Sequence, residues 1–156
     1  MIPEAGEIKM ALLKRNSKVE DQCFTGIINE YDLSDFNQIT GHKFNIKETH
    51  LNISFLSNDS SAFSFDFYSE KITKKKEEKI IEVPVIESGI CLGIITWMKV
   101  NLYKNIYLEN NPSSVNESHW STPIYTFKKP LEVSKGEIIR IQATLLEDKV
   151  WFELIN

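Results

Sequence analysis

Gly89-Ile90-Cys91-Leu92-Gly93-Ile94-Ile95-Thr96-Trp97-Met98-Lys99-Val100 is the most apolar stretch of the chain. Thr96 breaks the run and Lys99 stops it, far short of the roughly 20 apolar residues that a bilayer crossing takes. Being apolar on both faces, it reads as a central strand, predicted over 89–102. Period-2 alternation dominates on either side. Ile8, Met10 and Leu12 alternate with charged or smaller residues and predict a strand over 7–14. Leu51, Ile53 and Phe55 predict another over 50–56. Phe63, Phe65 and Phe67 face away from Ser64, Asp66 and Tyr68 in 62–68. Ile81, Val83 and Val85 share one face of 79–86, where Pro84 points to an edge or a terminus. Strands over 124–127, 136–145 and 150–154 follow, with turns at Lys135-Gly136 and Glu147-Asp148.

Only residues 17–39 break that pattern. Val19, Cys23, Phe24, Ile27 and Ile28 recur at helical spacing, and Asp32 or Ser34 could cap a second turn over Asp35-Phe36-Asn37-Gln38-Ile39. The expected fold is therefore all-β: an antiparallel barrel or sandwich of about eight strands with a short helical arm inserted after the first strand. A length of 156 residues favours a single domain over 1–156. Such a chain buries roughly 68–70% of its unfolded surface, enough for a core without staples.

Composition narrows the class of function. The hydrophobic fraction is 42%, as in ordinary globular domains rather than disordered chains. The net charge of −4 offers no excess of cations to neutralise phosphates, so nucleic acid is not an expected partner. Lys74-Lys75-Lys76 is followed at once by Glu77-Glu78 and reads as a solvated hairpin tip. Met-Ile-Pro-Glu-Ala-Gly-Glu at the N-terminus is acidic where a secretory signal is basic and then apolar, and the expectation is a cytoplasmic protein with no membrane partner. Cys23 and Cys91 have no metal or redox spacing and read as buried free thiols. His42, His50 and His119 are scattered, without the spacing of a metal site. Trp97 and Trp151 lie on predicted strands and read as core.

The long polar loop ending in Asn116-Glu117-Ser118-His119-Trp120 stands between two predicted strands. That order of strand, loop, Ile124-Tyr125-Thr126-Phe127 and the Val133-Ser134-Lys135-Gly136-Glu137 turn resembles the C-terminal β-barrel of the protein arginine methyltransferases. In that family a Thr-His-Trp loop faces the active site; here Ser118 stands where the Thr would be. Asn29-Glu30-Tyr31-Asp32-Leu33-Ser34-Asp35-Phe36-Asn37 is similar to the Gly-Phe-Asp-Leu-Ser-like end of the family's projecting arm, with Glu30-Tyr31 replacing Gly-Phe. Phe65-Asp66-Phe67 matches a recurrent strand, Trp97 a bulky aromatic, and Ile2-Pro3-Glu4-Ala5 the lead-in from the catalytic domain.

The resemblance implies a substrate-binding and dimer-forming barrel of an S-adenosylmethionine-dependent enzyme. Ser118, His119 and Trp120 become candidate substrate contacts, with Trp120 as a wall on which a planar guanidinium stacks. Tyr31, Leu33 and Phe36 become candidate dimer contacts, because the family's arm commonly packs on the catalytic domain of a second subunit. The implied partners are an N-terminal catalytic domain absent from this sequence, an Arg-containing protein or peptide substrate, and a second subunit of a homodimer. No cofactor is expected in this chain, although S-adenosylmethionine is implied for the full-length enzyme: the six glycines never form a phosphate-turn run. Catalytic residues are not expected here either, since methyl transfer needs a bound donor held against an oriented guanidinium. The competing expectation is a stand-alone β-sandwich module that binds peptide or carbohydrate through the His119-Trp120 loop.

Overall fold

The structure is a computed structural model that describes residues 2–39, 42–46, 52–68, 76–113 and 120–155. Its elements run β1 (Ala5–Lys14), α1 (Ser17–Cys23), β2 (Ile27–Ile28), β3 (Tyr31–Asp32), a 3-10 turn (Ser34–Gln38), β4 (Lys43–Ile46), β5 (Ser60–Asp66), β6 (Lys76–Pro84), β7 (Gly89–Tyr103), β8 (Ile106–Glu109), β9 (Thr122–Val133), β10 (Ile138–Leu146) and β11 (Lys149–Ile155). The larger sheet has the order β4-β9-β7-β1-β5, with β8 also on β7; the smaller is β11-β10-β6, and β2-β3 form a separate ribbon. Every pairing is antiparallel.

The central position of β7 follows from its sequence. Ile94 joins one core cluster with Met10, Leu12, Phe63, Ile141 and Phe152. Its neighbours Ile95 and Trp97 join another, with Leu13, Val19, Cys23 and Ile124. The larger sheet is thus covered on one face by the smaller sheet and on the other partly by α1. Gly93 is required where β7 meets β9. A Cβ there would collide with the Tyr125 carbonyl oxygen and lie 2.7 Å from the Thr126 Cα, so only glycine allows the backbones to close up. Beside it the register jumps: Gly93 faces Thr126 while Cys91 faces Leu131, leaving 127–130 as a bulge opposite Leu92.

The two sheets are laced rather than closed into a cylinder, so the body is sandwich-like. Residues 54–57 cross from one sheet to the other. Phe55 bridges Leu13 and Ser57 bridges Val85, while Leu56 donates its N–H to Leu12 (2.9 Å) and accepts one from Ile86 (2.8 Å). On the opposite side the Tyr125 hydroxyl donates to the Val150 carbonyl at 2.8 Å, joining β9 to β11 by a side chain.

Seven of the expected strands are present. The eighth, over 50–56, is not: of its described residues, 52–54 have no strand pairing and Phe55 forms an isolated bridge. Its alternation serves a crossing segment that buries Leu56 against the main cluster. Four short strands, β2, β3, β4 and β8, were not foreseen, because two to four residues are too few to show a period. Pro84 does end β6, an edge strand of the smaller sheet.

The arm also differs from its reading. The helix stops at Cys23 instead of running through Ile28. Asn16 caps its start, accepting the Lys18 N–H at 3.0 Å. At its end Gly26 disfavours another turn by about 1 kcal/mol, and the Asn37 side chain claims the Thr25 backbone: Oδ1 accepts the Thr25 N–H at 2.8 Å and Nδ2 donates to the Thr25 carbonyl at 2.8 Å. Ile27 and Ile28 therefore leave the helix for a ribbon, turned at Asn29 (φ 49) and Glu30 (φ 70). Left-handed values at both positions are those of a tight hairpin turn.

Candidate functional site: the projecting arm and the 118–120 loop

The arm is rooted in the core and projects away from it. Val19 and Cys23, one turn apart on α1, are buried in the second cluster, and Phe24 packs partly against it. Beyond Phe24 the chain closes on itself. The Leu33 N–H donates to the Gly26 carbonyl at 3.1 Å, and the paired Asn37 bonds tie the 3-10 turn to Thr25. This leaves Ile27, Tyr31 and Ile39 at 76%, 73% and 79% exposure, with Ile28 and Phe36 about half exposed.

Tyr31 and Phe36 thus lie in solvent on the arm, whereas Leu33 is only half-buried at its base. Ile27, Ile28 and Ile39 extend the same apolar surface. The helical reading hid the first two by assigning them to a packed helix face, although Gly26 was the signal that the helix had ended. Neither Asp32 nor Ser34 caps the 3-10 turn; Leu33 occupies that position without a side-chain bond. Asp32 instead accepts the Ser34 N–H at 2.9 Å. Hydrogen bonds from Ser34 hold the Asp32 carboxyl below the usual carboxylate range.

Of the loop residues, Ser118 and His119 lie outside the described residues. Trp120 stands just before β9 and is 45% exposed. The strand after it is fixed from two sides: Thr122 pairs with Ile46 of β4, and the Thr96 hydroxyl donates to the Pro123 carbonyl at 3.3 Å. Trp97 is the opposite case, buried, stacked on Phe55 with centroids 5.5 Å apart, and donating its indole N–H to Glu109 at 2.8 Å. Trp151 packs partly against the main cluster. His42 accepts the Thr126 N–H through its carbonyl at 2.8 Å; His50 lies outside the described residues. Burial pushes the Cys23 thiol up to about 11 and the Cys91 thiol up to about 12, and both are free.

A second exposed apolar area, not foreseen, lies on the β7-β8 hairpin: Met98, Tyr103, Ile106, Tyr107 and Leu108. There Lys99 Nζ sits 4.6 Å from the Tyr107 ring centroid and Lys104 Nζ 5.0 Å from that of Tyr103. Among the described residues no group of His, Cys, Asp and Glu side chains could hold a metal ion, and no helix is long and apolar enough to cross a membrane. The α1 helix follows β1 through Arg15-Asn16, without the glycine turn that a dinucleotide-type donor site requires. These residues do not fit S-adenosylmethionine.

The chain is thus a two-sheet antiparallel body in sandwich-like form with an arm after its first strand. The family described as the PRMT5 oligomerisation domain matches residues 21–156, and the chain belongs to it. The fold is also similar to that of a solved Trypanosoma brucei structure, a PRMT1 enzyme-prozyme heterotetrameric complex with AdoHcy, at a TM-score of 0.68 and 11% identity. The match covers 91% of this chain and 47% of that one, so the chain spans about half the length of the solved relative. No curated protein sequence matches it.

Proposed function

We propose that residues 1–156 form the association and substrate-facing domain of an S-adenosylmethionine-dependent protein arginine methyltransferase, and that methyl transfer belongs to a separate catalytic half. The observation that carries this reading is the arm. It places Tyr31 and Phe36 in solvent with Ile27, Ile28 and Ile39, outside both core clusters. Exposed apolar groups gathered on one projection mark a contact surface. The family match to an oligomerisation domain supports the same role.

In this reading Ser118, His119 and Trp120 line the mouth of the substrate cleft. Trp120, two residues before β9 and 45% exposed, is in this reading the wall on which an arginine guanidinium stacks. The catalytic half supplies the donor site, and the barrel positions the substrate against it, where much of the barrier reduction arises.

Sedimentation of the full-length protein tests the association role. Replacing both Leu33 and Phe36 with Asp is expected to shift dimer towards monomer, and an unchanged dimer refutes it. For the loop, His119→Ala or Trp120→Ala is expected to cut methylation of an Arg-rich peptide at least about tenfold, or about 1.4 kcal/mol of transition-state stabilisation. Normal methylation by both variants would reduce the loop to a connection.

A further inference from the structure

Both feet of the polar loop that ends at Trp120 stand on three consecutive residues of β7. Strand β9 pairs with β7 as far as Ile95, and β8 pairs with it from Lys99 onwards, so Thr96, Trp97 and Met98 lie in the gap between the two. Each of the three holds part of a foot. The Thr96 hydroxyl donates to the Pro123 carbonyl at 3.3 Å and the Trp97 indole N–H to Glu109 at 2.8 Å. Met98 bonds Asn110 twice. The chain therefore leaves the sheet and re-enters it within roughly 7 Å along one strand.

Asn110 makes the exit by an uncommon route. Its backbone N–H donates to the Met98 carbonyl at 3.2 Å, as a ladder residue would. The Met98 N–H, however, is taken by the Asn110 side chain, Oδ1, at 2.7 Å. In an antiparallel pair that N–H goes to the backbone carbonyl of the facing residue. Here the side chain stands in for its own main chain, so the backbone can depart at this residue without stranding a donor. The next residue turns it: Asn111 Oδ1 accepts the Ser113 N–H at 2.9 Å and the Ser113 hydroxyl at 2.8 Å. Asn110, Thr96 and Thr122 are all buried. Apolar side chains would fill the same gap at no desolvation cost, whereas a buried amide and buried hydroxyls supply directional bonds.

We propose that Asn110 and Thr96 are positioning residues for Trp120: they fix where the chain leaves and re-enters the sheet, and so where the ring stands when an arginine side chain arrives. This rests on the reading above in which Trp120 is a wall of the substrate site. Both residues act through Trp120, which precedes β9 by two residues. With its two ends fixed the loop has fewer conformations open to it, and a ring placed in advance binds without the cost of being ordered on contact.

Two measurements on the full-length protein test this. The first needs no activity: hydroxyl-radical footprinting, read residue by residue by mass spectrometry. Asn110→Ala is expected to change oxidation of Trp120 at least about threefold and to leave Trp151 as it was; an unchanged Trp120 overturns the proposal. The second is steady-state methylation of an Arg-rich peptide by the wild type, Asn110→Ala, Trp120→Ala and the double variant. Asn110→Ala is expected to raise the peptide KM about tenfold, with kcat and the KM for S-adenosylmethionine within about twofold of wild type. Since Asn110 acts through the ring, the double variant should be no worse than Trp120→Ala alone. An unchanged peptide KM, losses that add in full, or a fall in kcat with both KM values disturbed each overturn the positioning role. Should Asn110→Ala not fold, Thr96→Val removes the hydroxyl at the other foot and carries both measurements, with effects expected in the same direction. Normal methylation by Trp120→Ala is a separate failure: it removes the substrate wall, and the footprint still decides whether Asn110 places the ring.

Discussion

The sandwich and the arm are built from the same apolar residue types and dispose of them in opposite ways. Ile94 and Ile95, adjacent on β7, vanish into separate clusters on the two faces of one sheet. Ile27 and Ile28, adjacent on β2, stay exposed and half-exposed, because among the described residues the two-residue ribbon pairs only with β3 and joins neither core cluster. The sandwich holds its shape by burial. The arm holds its shape by three hydrogen bonds at its base, from Asn37 and Leu33. The β7-β8 hairpin falls between them: its exposed tyrosines already carry lysines over their rings. Exposure of apolar groups therefore means different things in different places; in the arm they come with Glu30, Asp32 and Asp35 and no Lys or Arg over residues 24–39.

This contrast can be broken at several points. Trp97→Ala removes a buried ring stacked on Phe55 and should cost about 3–5 kcal/mol in denaturant unfolding; a cost below about 1 kcal/mol would mean the second cluster is not a core. Thiol labelling at pH 8 comes next. With its pKa pushed up to about 11, Cys23 in the native protein should label about 100-fold more slowly than an ordinary thiol, and Cys91, pushed up to about 12, more slowly still. Rapid labelling of Cys23 alone would move α1 out of the body and into the arm. Adding Asp at Ile27 and Ile39 should weaken association of the full-length protein at least about tenfold while the unfolding midpoint holds; a lowered midpoint instead would show that these side chains belong to the fold. Smallest is Trp120→Ala, expected to change unfolding by no more than about 0.5 kcal/mol. A value approaching that of Trp97 would place Trp120 in the core and remove it from the rim.

Alternation in the sequence was enough to locate β1, β5 and β6, since a strand with one face on a core must repeat with period two. The two-faced apolar run of β7 likewise announced a central strand. The arm was legible as an interruption and as a place for Tyr31, Leu33 and Phe36, but its conformation was not. Val19, Cys23, Phe24, Ile27 and Ile28 do repeat at helical spacing; Gly26 is the local sign that the helix ends, and the bonds from Asn37, twelve residues from Thr25, hold the chain beyond it against the helix end. Such a bond has no local signature, because it depends on where the returning chain meets the helix end. The crossing of 54–57 between sheets escaped for the same reason: a segment that alternates can be a strand or a lace, and its partners at Leu12, Leu13, Val85 and Ile86 are brought to it only by the packed sheets. Local pattern determines which side of an element is apolar. What that side meets, and whether it meets anything, is decided when the two layers close on one another and leave the arm outside.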